Sequence, residues 1–290
     1  MKRNWIWISL IGWAVFPAWV CGAEVTDADV TIDILAVSPR LIQKDATGFL
    51  DRRSTGLSVV GVGETCFLEV RFPDYEIPYH VHWVLLDIPA NSQATFREKD
   101  QLRTAIRPDL EGEYGIEVSV QFPTLDVFIH KQIRILAASY VGVGGMNGEN
   151  SQFPECSLCH TDATEEWRQT RHANVLAKHL NGERSEQYDT SCFECHTTGF
   201  DKSFQAANQG FHQVVEAEGA NLQGIADQIN EAYRLNHDGS TANNVAYYDS
   251  LSPALRDKAS VQCENCHGAG SQHLANPERI GKAWDARVCA

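Results

Sequence analysis

Three Cys-x-x-Cys-His motifs in the second half of this 290-residue chain constrain its fold and chemistry more than any other feature. They occupy residues 156–160, 192–196 and 263–267. In such a motif, two thiols can form thioethers with the vinyl groups of one haem, and the adjoining histidine can bind the iron as its proximal axial ligand. The spacing therefore predicts three covalently attached haem c groups.

Each motif contributes two cysteines and one histidine to this prediction. The predicted thioether-forming residues are Cys156, Cys159, Cys192, Cys195, Cys263 and Cys266, and the predicted proximal ligands are His160, His196 and His267. Zinc ribbons and redox-active dithiols also use Cys-x-x-Cys pairs, but neither requires a histidine directly after each pair. Histidine makes up only 11 of the 290 residues, so three chance occurrences are improbable and haem is favoured.

The second axial ligand of each iron is expected to be histidine. The chain has only 2 methionines, Met1 and Met146, so methionine cannot serve three irons. Further histidines in the second half are His172, His179, His212, His237 and His273. These suffice to place two imidazoles on every iron, an arrangement that suits electron transfer.

The first half of the chain has the pattern of β-strands rather than helices. Apolar and polar residues alternate over residues 30–34, 66–72 and 116–121. A period of two with one apolar face indicates half-buried strands, and short strands separated by prolines suggest a β-sandwich. We therefore assign residues 24–141 to an all-β domain.

One segment of this half is more specific. The run Arg107-Pro108-Asp109-Leu110-Glu111-Gly112-Glu113-Tyr114 precedes a strand, and His82-Trp83 lies on an earlier one. This pattern resembles the polycystic-kidney-disease (PKD) type of immunoglobulin-like domain. In such a turn the Tyr114 hydroxyl can hydrogen bond back to the turn backbone, as in a tyrosine corner.

A glycine-rich segment, residues 142–150, reads as a linker to a second domain at residues 151–290. Helices are predicted over residues 164–180 and 222–233, with loops between them. This domain has few large aliphatic residues, so a bound apolar cofactor is expected to supply buried surface. Residues 200–261 are long enough to be an insertion that lies on the surface or covers a haem edge.

Three segments of the second domain carry a family resemblance. Residues 167–173 read Trp-x-x-Thr-x-His-Ala, residues 192–200 carry Cys-His-Thr-Thr-Gly-Phe, and residues 263–273 carry Cys-Glu-x-Cys-His-Gly-x-Gly-Ser-x-His. Together they resemble the tetrahaem cytochrome c-554 family. The resemblance implies electron transfer and implies that His172 and His273 are distal ligands. His179 is left open between a ligand and a solvated helix residue.

The end of the sequence also resembles that family. Cys289-Ala290 stops where a fourth Cys-x-x-Cys-His motif would begin. We expect the sequence to be a fragment of a protein that binds a fourth haem c through a motif starting at Cys289. A natural stop would instead leave an odd cysteine.

The N-terminus and the charge indicate where the protein acts. Residues 1–23 carry Lys2 and Arg3, an apolar stretch and small residues before Glu24, as expected for a cleaved signal peptide. This predicts a periplasmic, extracellular or cell-surface location with no transmembrane segment beyond the signal. The net charge of −14 disfavours binding to nucleic acid or to anionic lipid.

These observations predict a multidomain protein: an all-β, PKD/immunoglobulin-like sandwich followed by a mostly α, loop-rich multihaem cytochrome c domain. We expect an exported electron carrier with bis-histidine haems and redox partner proteins. The alternative is a multihaem oxidoreductase that acts on a small nitrogen or sulfur compound at an open iron position. A further expected partner is a surface or a carbohydrate ligand that the sandwich binds.

Overall fold

The computed structural model describes residues 25–73, 78–144, 155–184, 186–200, 208–238 and 247–281. The predicted signal peptide, residues 145–150 of the predicted linker and Cys289 lie outside these ranges. Within the described ranges, none of the helices combines the length and the apolar character needed to cross a membrane. We call residues 25–141 the β region and residues 155–281 the motif region.

The β region contains two four-stranded sheets. One has the order β2-β1-β4-β6, formed by Ser54–Thr55, Thr31–Val37, Cys66–Arg71 and Arg103–Ile106. The other has the order β3-β8-β7-β5, formed by Val59–Gly61, Val127–Ala138, Gly112–Phe122 and His80–Asp87. The alternating apolar side chains of both sheets enter one shared hydrophobic core around Trp83, Tyr114 and Leu68. The β-rich N-terminal half agrees with the prediction.

The turn before β7 has the hydrogen bonds expected of the PKD-like sequence. Tyr114 is fully buried. Its hydroxyl accepts the Leu110 N–H at 3.0 Å and lies 2.9 Å from the Leu110 carbonyl oxygen. Asp109 reaches the same hydroxyl at 3.1 Å and also accepts the Gln93 N–H at 2.6 Å. The tyrosine therefore holds the turn to its own strand.

In the part of the chain that the structure describes, all α-helices but one have eight residues or fewer. Besides α1 (Pro39–Lys44), the helices are α2 (Cys156–Cys159), α3 (Thr161–Arg168), α4 (Val175–Leu180), α5 (Phe193–His196), α6 (Phe211–Ala217), α7 (Leu222–His237), α8 (Pro253–Asp257) and α9 (Cys263–His267). The predicted helix at 222–233 is confirmed as α7. The single helix predicted over 164–180 is wrong, because it is broken between α3 and α4.

Polar side chains explain that break. The Thr170 hydroxyl donates to the Trp167 carbonyl at 2.7 Å. The Asn174 amide donates to the carbonyls of Arg168 and Thr170, each at 3.0 Å. Side chains that satisfy backbone groups in this way compete with helix continuation.

Part of the segment at residues 200–261 is buried in the motif region. Within its described part, Phe211, Val215, Ile225 and Ile229 are buried in one apolar cluster with Leu176 of α4. The motif region therefore has a larger apolar core of its own than its composition suggested.

The first residues of the predicted linker are packed between the two regions. Val143 is fully buried, and the backbone of Gly142 and Gly144 has positive φ, 84° and 71°. A Cβ on Gly142 would lie 2.3 Å from an Asp257 oxygen, and one on Gly144 would lie 2.0 Å from a Glu155 oxygen. Only glycine fits this close approach, so the glycines here serve packing.

Candidate haem-binding site

The first motif begins at α2 and is fixed to the end of the β region. The Cys156 N–H donates to the Gly142 carbonyl at 3.3 Å, and the Ser157 N–H donates to the Val143 carbonyl at 2.9 Å. His160 follows the helix and is exposed. Its backbone N–H closes the turn on the Cys156 carbonyl at 2.9 Å.

His160 has a second imidazole facing it. The rings of His160 and His273 are nearly parallel, with an angle of 19° between planes and 6.2 Å between centroids. An imidazole nitrogen binds a first-row metal at about 2 Å, so two imidazoles on opposite sides of one iron have centroids roughly 6 Å apart. The pair therefore fits a bis-imidazole iron. The Nδ1 atom of His273 is buried without a hydrogen-bond partner among the described residues.

The second motif also brings two imidazoles together. The rings of His179 on α4 and His196 on α5 are 5.1 Å apart at their centroids, with 24° between planes. His179 Nδ1 lies 3.2 Å from the Arg184 carbonyl, and His196 Nδ1 lies 3.3 Å from the Tyr188 hydroxyl. Both Nδ1 atoms are thus engaged, which leaves both Nε2 atoms for a metal.

Burial keeps these two imidazoles neutral. Desolvation lowers the pKa of His196 to about 4, with a further contribution from the charge of His179. Desolvation also lowers the pKa of His179, which is only 8% exposed. Since metal ions bind the neutral imidazole, the site is set for ligation at neutral pH.

His172 lies beside a cavity that joins the two regions. The cavity has a volume of about 690 Å³ and is lined by His172, Cys195, His196 and Asn265 from the motif region. Arg53 and other residues of the β region line the opposite side. The volume lies in the range of pockets that hold cofactors, roughly 300–1,000 Å³. His172 is therefore near the second motif and near Asn265 of the third, rather than placed over His160.

The third motif lies on α9. His267 Nδ1 is 3.0 Å from the Gly281 carbonyl, which leaves Nε2 for a metal. Hydrogen bonding between the thiols of Cys156 and Cys263 raises the pKa of Cys156, and burial adds to this shift. The same hydrogen bond lowers the pKa of Cys263 against the opposing effect of burial. The first cysteines of the first and third motifs are therefore neighbours.

The other histidines of the motif region have different partners. His212 Nε2 lies 2.7 Å from a Glu216 carboxylate oxygen. His237 stacks on Tyr233, with 4.1 Å between ring centroids. Arg184 is the hydrogen-bond partner of His179, and Tyr188 is that of His196. The sequence analysis missed both partners, because nothing in their spacing along the chain marks them.

Comparison with known proteins supports the same chemistry for this region. The family model described as cytochrome c554 and c-prime matches residues 155–221, which contain the first two motifs. This part of the chain is thus similar to c-type cytochromes, which bind haem c and transfer electrons. No curated protein sequence matches the chain.

Two solved structures also match, each over part of this chain. The PKD domain, residues 329–428, of human KIAA0319 shares 17% identity, with 26% of this chain and 66% of that chain covered and a TM-score of 0.22. A conjugative transposon lipoprotein from Bacteroides eggerthii shares 10% identity, with 37% and 96% covered and a TM-score of 0.23.

Proposed function

We propose that this protein is an exported multihaem c-type cytochrome that transfers electrons through haems with two histidine ligands. The observation that carries the proposal is the parallel pairing of His160 with His273. A histidine directly after a Cys-x-x-Cys pair, facing an imidazole from another motif's turn, is the donor set of a low-spin haem c. At the second motif the rings of His196 and His179 are also close to parallel, but their centroids are 5.1 Å apart, about 1 Å less than the separation across one iron, so they would have to move apart to hold one.

The ligand assignment follows from these contacts. His160 and His273 would hold the first iron, and His196 with His179 the second. His267 would be the proximal ligand of the third. His172 shares a cavity with His196 and Asn265, so it is a candidate distal ligand for the third iron, or for the second iron in place of His179. His273 and His172 would then serve haems other than that of the nearest motif, whereas His179 would serve the haem of the motif nearest to it.

The bound haems would supply the redox-active irons, and the chain would hold them close together. Because the Cys156 and Cys263 thiols are in contact, the haems attached to the first and third motifs would have neighbouring edges. Hydrogen bonds of the His179 and His196 Nδ1 atoms with the Arg184 carbonyl and the Tyr188 hydroxyl would keep these two ligands oriented. An acidic chain, with net charge −14, favours basic redox partner proteins.

Three further parts of the proposal lie outside the described residues or concern partners. Residues 1–23 would direct export and be removed, and the mature protein would be periplasmic or on the cell surface. A fourth haem c would attach through a motif starting at Cys289 in a longer protein. The β region would offer a surface or carbohydrate ligand a binding face.

A second candidate function is oxidation or reduction of a small nitrogen or sulfur compound. The exposure of His267 favours it, because an iron there would be reachable from solvent in the described part of the chain. The two functions differ in spin state. A carrier has only low-spin haems, whereas an enzyme with an open iron shows a high-spin haem that binds nitric oxide or hydroxylamine.

The test is expression with a c-type maturation system, followed by mass spectrometry of the denatured protein and low-temperature electron paramagnetic resonance. We expect covalent haem at all three motifs and low-spin ferric signals. Unmodified cysteine pairs, or zinc in place of haem, would overturn the proposal.

A further inference from the structure

The segment at residues 139–144 connects the β region to every part of the first haem site. Each of its six backbone N–H groups donates to the motif region. The acceptors, in order, are Ser271 Oγ, the Asn208 carbonyl, Glu264 Oε1, Glu264 Oε2, Gln262 Oε1 and Asp257 Oδ1. A run of backbone donors satisfied by side chains of a distant segment is a built contact rather than a loose connection.

Glu264 is the centre of this contact. It is 2% exposed, and its carboxylate accepts three backbone N–H bonds. Oε1 accepts from Val141 at 2.9 Å and from Gly270 at 2.7 Å, while Oε2 accepts from Gly142 at 2.8 Å. Hydrogen bonds to a charged acceptor are stronger than those between neutral groups, and a buried N–H left unpaired is costly.

The three donors lie on the two segments that carry the His160 and His273 imidazoles. Gly142 accepts the Cys156 N–H through its carbonyl, so it is bound to the helix that precedes His160. Gly270 accepts the His273 N–H at 3.0 Å, so it closes the turn that carries the opposing imidazole. One carboxylate thereby ties the segment before His160 to the turn that ends at His273.

We propose that Glu264 is a positioning residue that sets the spacing of the His160 and His273 imidazoles and so keeps the first haem six-coordinate. The inference rests on the proposed function, because it assumes a haem between these rings. Groups that orient metal ligands without touching the metal commonly change its affinity. Glu264 belongs to the third motif yet acts on the first haem.

The chain offers graded variants and a matched control. Glu264→Gln can keep the two bonds that Oε1 accepts, from Val141 and Gly270, and loses the bond that Oε2 accepts from Gly142. Glu264→Asp keeps the charge but withdraws the carboxylate from Gly270. Gln262→Ala removes the acceptor of the Val143 N–H in the same buried interface, together with the bonds that its amide donates to the Asp257 and Ala259 carbonyls. It leaves in place the bonds that Glu264 accepts from Gly142 and Gly270, so it reports the cost of weakening the interface apart from that link.

The experiment compares haem-loaded, full-length variants by electron paramagnetic resonance and by the rate of cyanide binding. His273→Ala supplies the reference signature of a first haem that has lost its distal ligand. We expect Glu264→Asp to raise the rate of cyanide binding at one haem about tenfold, in line with the loss of one charge-assisted hydrogen bond. Gln262→Ala should remain low-spin and bind cyanide at the unmutated rate, and Glu264→Gln should fall between Glu264→Asp and the unmutated protein.

The double variant gives the decisive comparison. If Glu264→Asp acts through His273, adding it to His273→Ala should change nothing further in the spectrum. If the unmutated protein carries haem with low-spin signals and Glu264→Asp has the same spectrum and cyanide-binding rate, this inference is overturned and the proposed function stands. A parent protein without covalent haem, or without a low-spin signal, overturns the proposed function and this inference with it.

Discussion

The two regions of the molecule are built in opposite ways. In the β region, β7 and β8 pair continuously from Gly112↔Ala137 to Phe122↔Val127, so the backbone satisfies itself in a long ladder. In the motif region, α2, α5 and α9 have only 4, 4 and 5 residues. Helices this short are unstable alone, since isolated helices need roughly 12–15 residues. We therefore expect the β region to keep its shape alone and the motif segments to depend on bound haem.

The largest effect that would test this contrast comes from removing the haems. With all six motif cysteines replaced by alanine, we expect α2, α5 and α9 to lose protection from hydrogen exchange. The β7–β8 ladder should keep its protection, because its core contains no motif residue. Helix α7, with its buried Ile225 and Ile229, should lie between these limits. Wild-type protection throughout the motif segments would show that they fold without haem.

The sequence carried the parts of the structure that depend on local chemistry. The spacing of each motif predicts haem attachment, and the turn at Asp109 and Tyr114 is encoded within six residues. Helix α7 follows from its apolar period. These features could be predicted because each is determined by neighbours along the chain.

Other parts depend on partners far along the chain and were beyond sequence reasoning. Gly142 and Gly144 read as a linker, since glycine composition is the same for a free hinge and for close packing. Gly142 donates to Glu264, 122 residues away, and Gly144 donates to Asp257, 113 residues away. The same limit applies to His179, whose position opposite His196 arises only from tertiary packing.

A second prediction concerns the second haem and sharpens the comparison within the motif region. His179→Ala should convert one haem from low-spin to high-spin while its thioethers remain, because it removes the imidazole facing His196. His172→Ala should convert a different haem if it serves the third iron. Electron paramagnetic resonance of each variant and of the pair distinguishes the assignments.

The matched control for these variants is His212→Ala. His212 is as buried as His179, but its Nε2 is bonded to Glu216 and no imidazole faces it among the described residues. Its removal should leave every haem low-spin. An unchanged spectrum in His179→Ala, or a high-spin signal in His212→Ala, would contradict the assignment.

A third prediction tests the independence of the β region. Tyr114→Phe removes the hydroxyl that accepts the Leu110 N–H in a buried turn. The free energy of unfolding of the β region should fall by about 1–3 kcal/mol, the cost of an unsatisfied buried group. Tyr79→Phe, at an exposed ring, should change it by less than about 0.5 kcal/mol. Haem spectra that shift in Tyr114→Phe would show that the regions are coupled through this turn.

The smallest expected effect is a pH-dependent one at Glu69 on β4. Burial raises the pKa of Glu69, but hydrogen bonds from Arg103 and Arg71 outweigh it, so the net pKa is lowered. A carboxyl with a lowered folded-state pKa stabilises the protein above its unfolded pKa of about 4.3 and loses that contribution as pH falls through the folded value. Glu69→Gln should therefore cost about 1 kcal/mol at pH 7 and progressively less below pH ~4. Denaturant unfolding at several pH values measures this, with Glu98→Gln as the exposed control. A cost of Glu69→Gln that stays constant down to pH ~3 would mean that packing, rather than the two arginines, accounts for it.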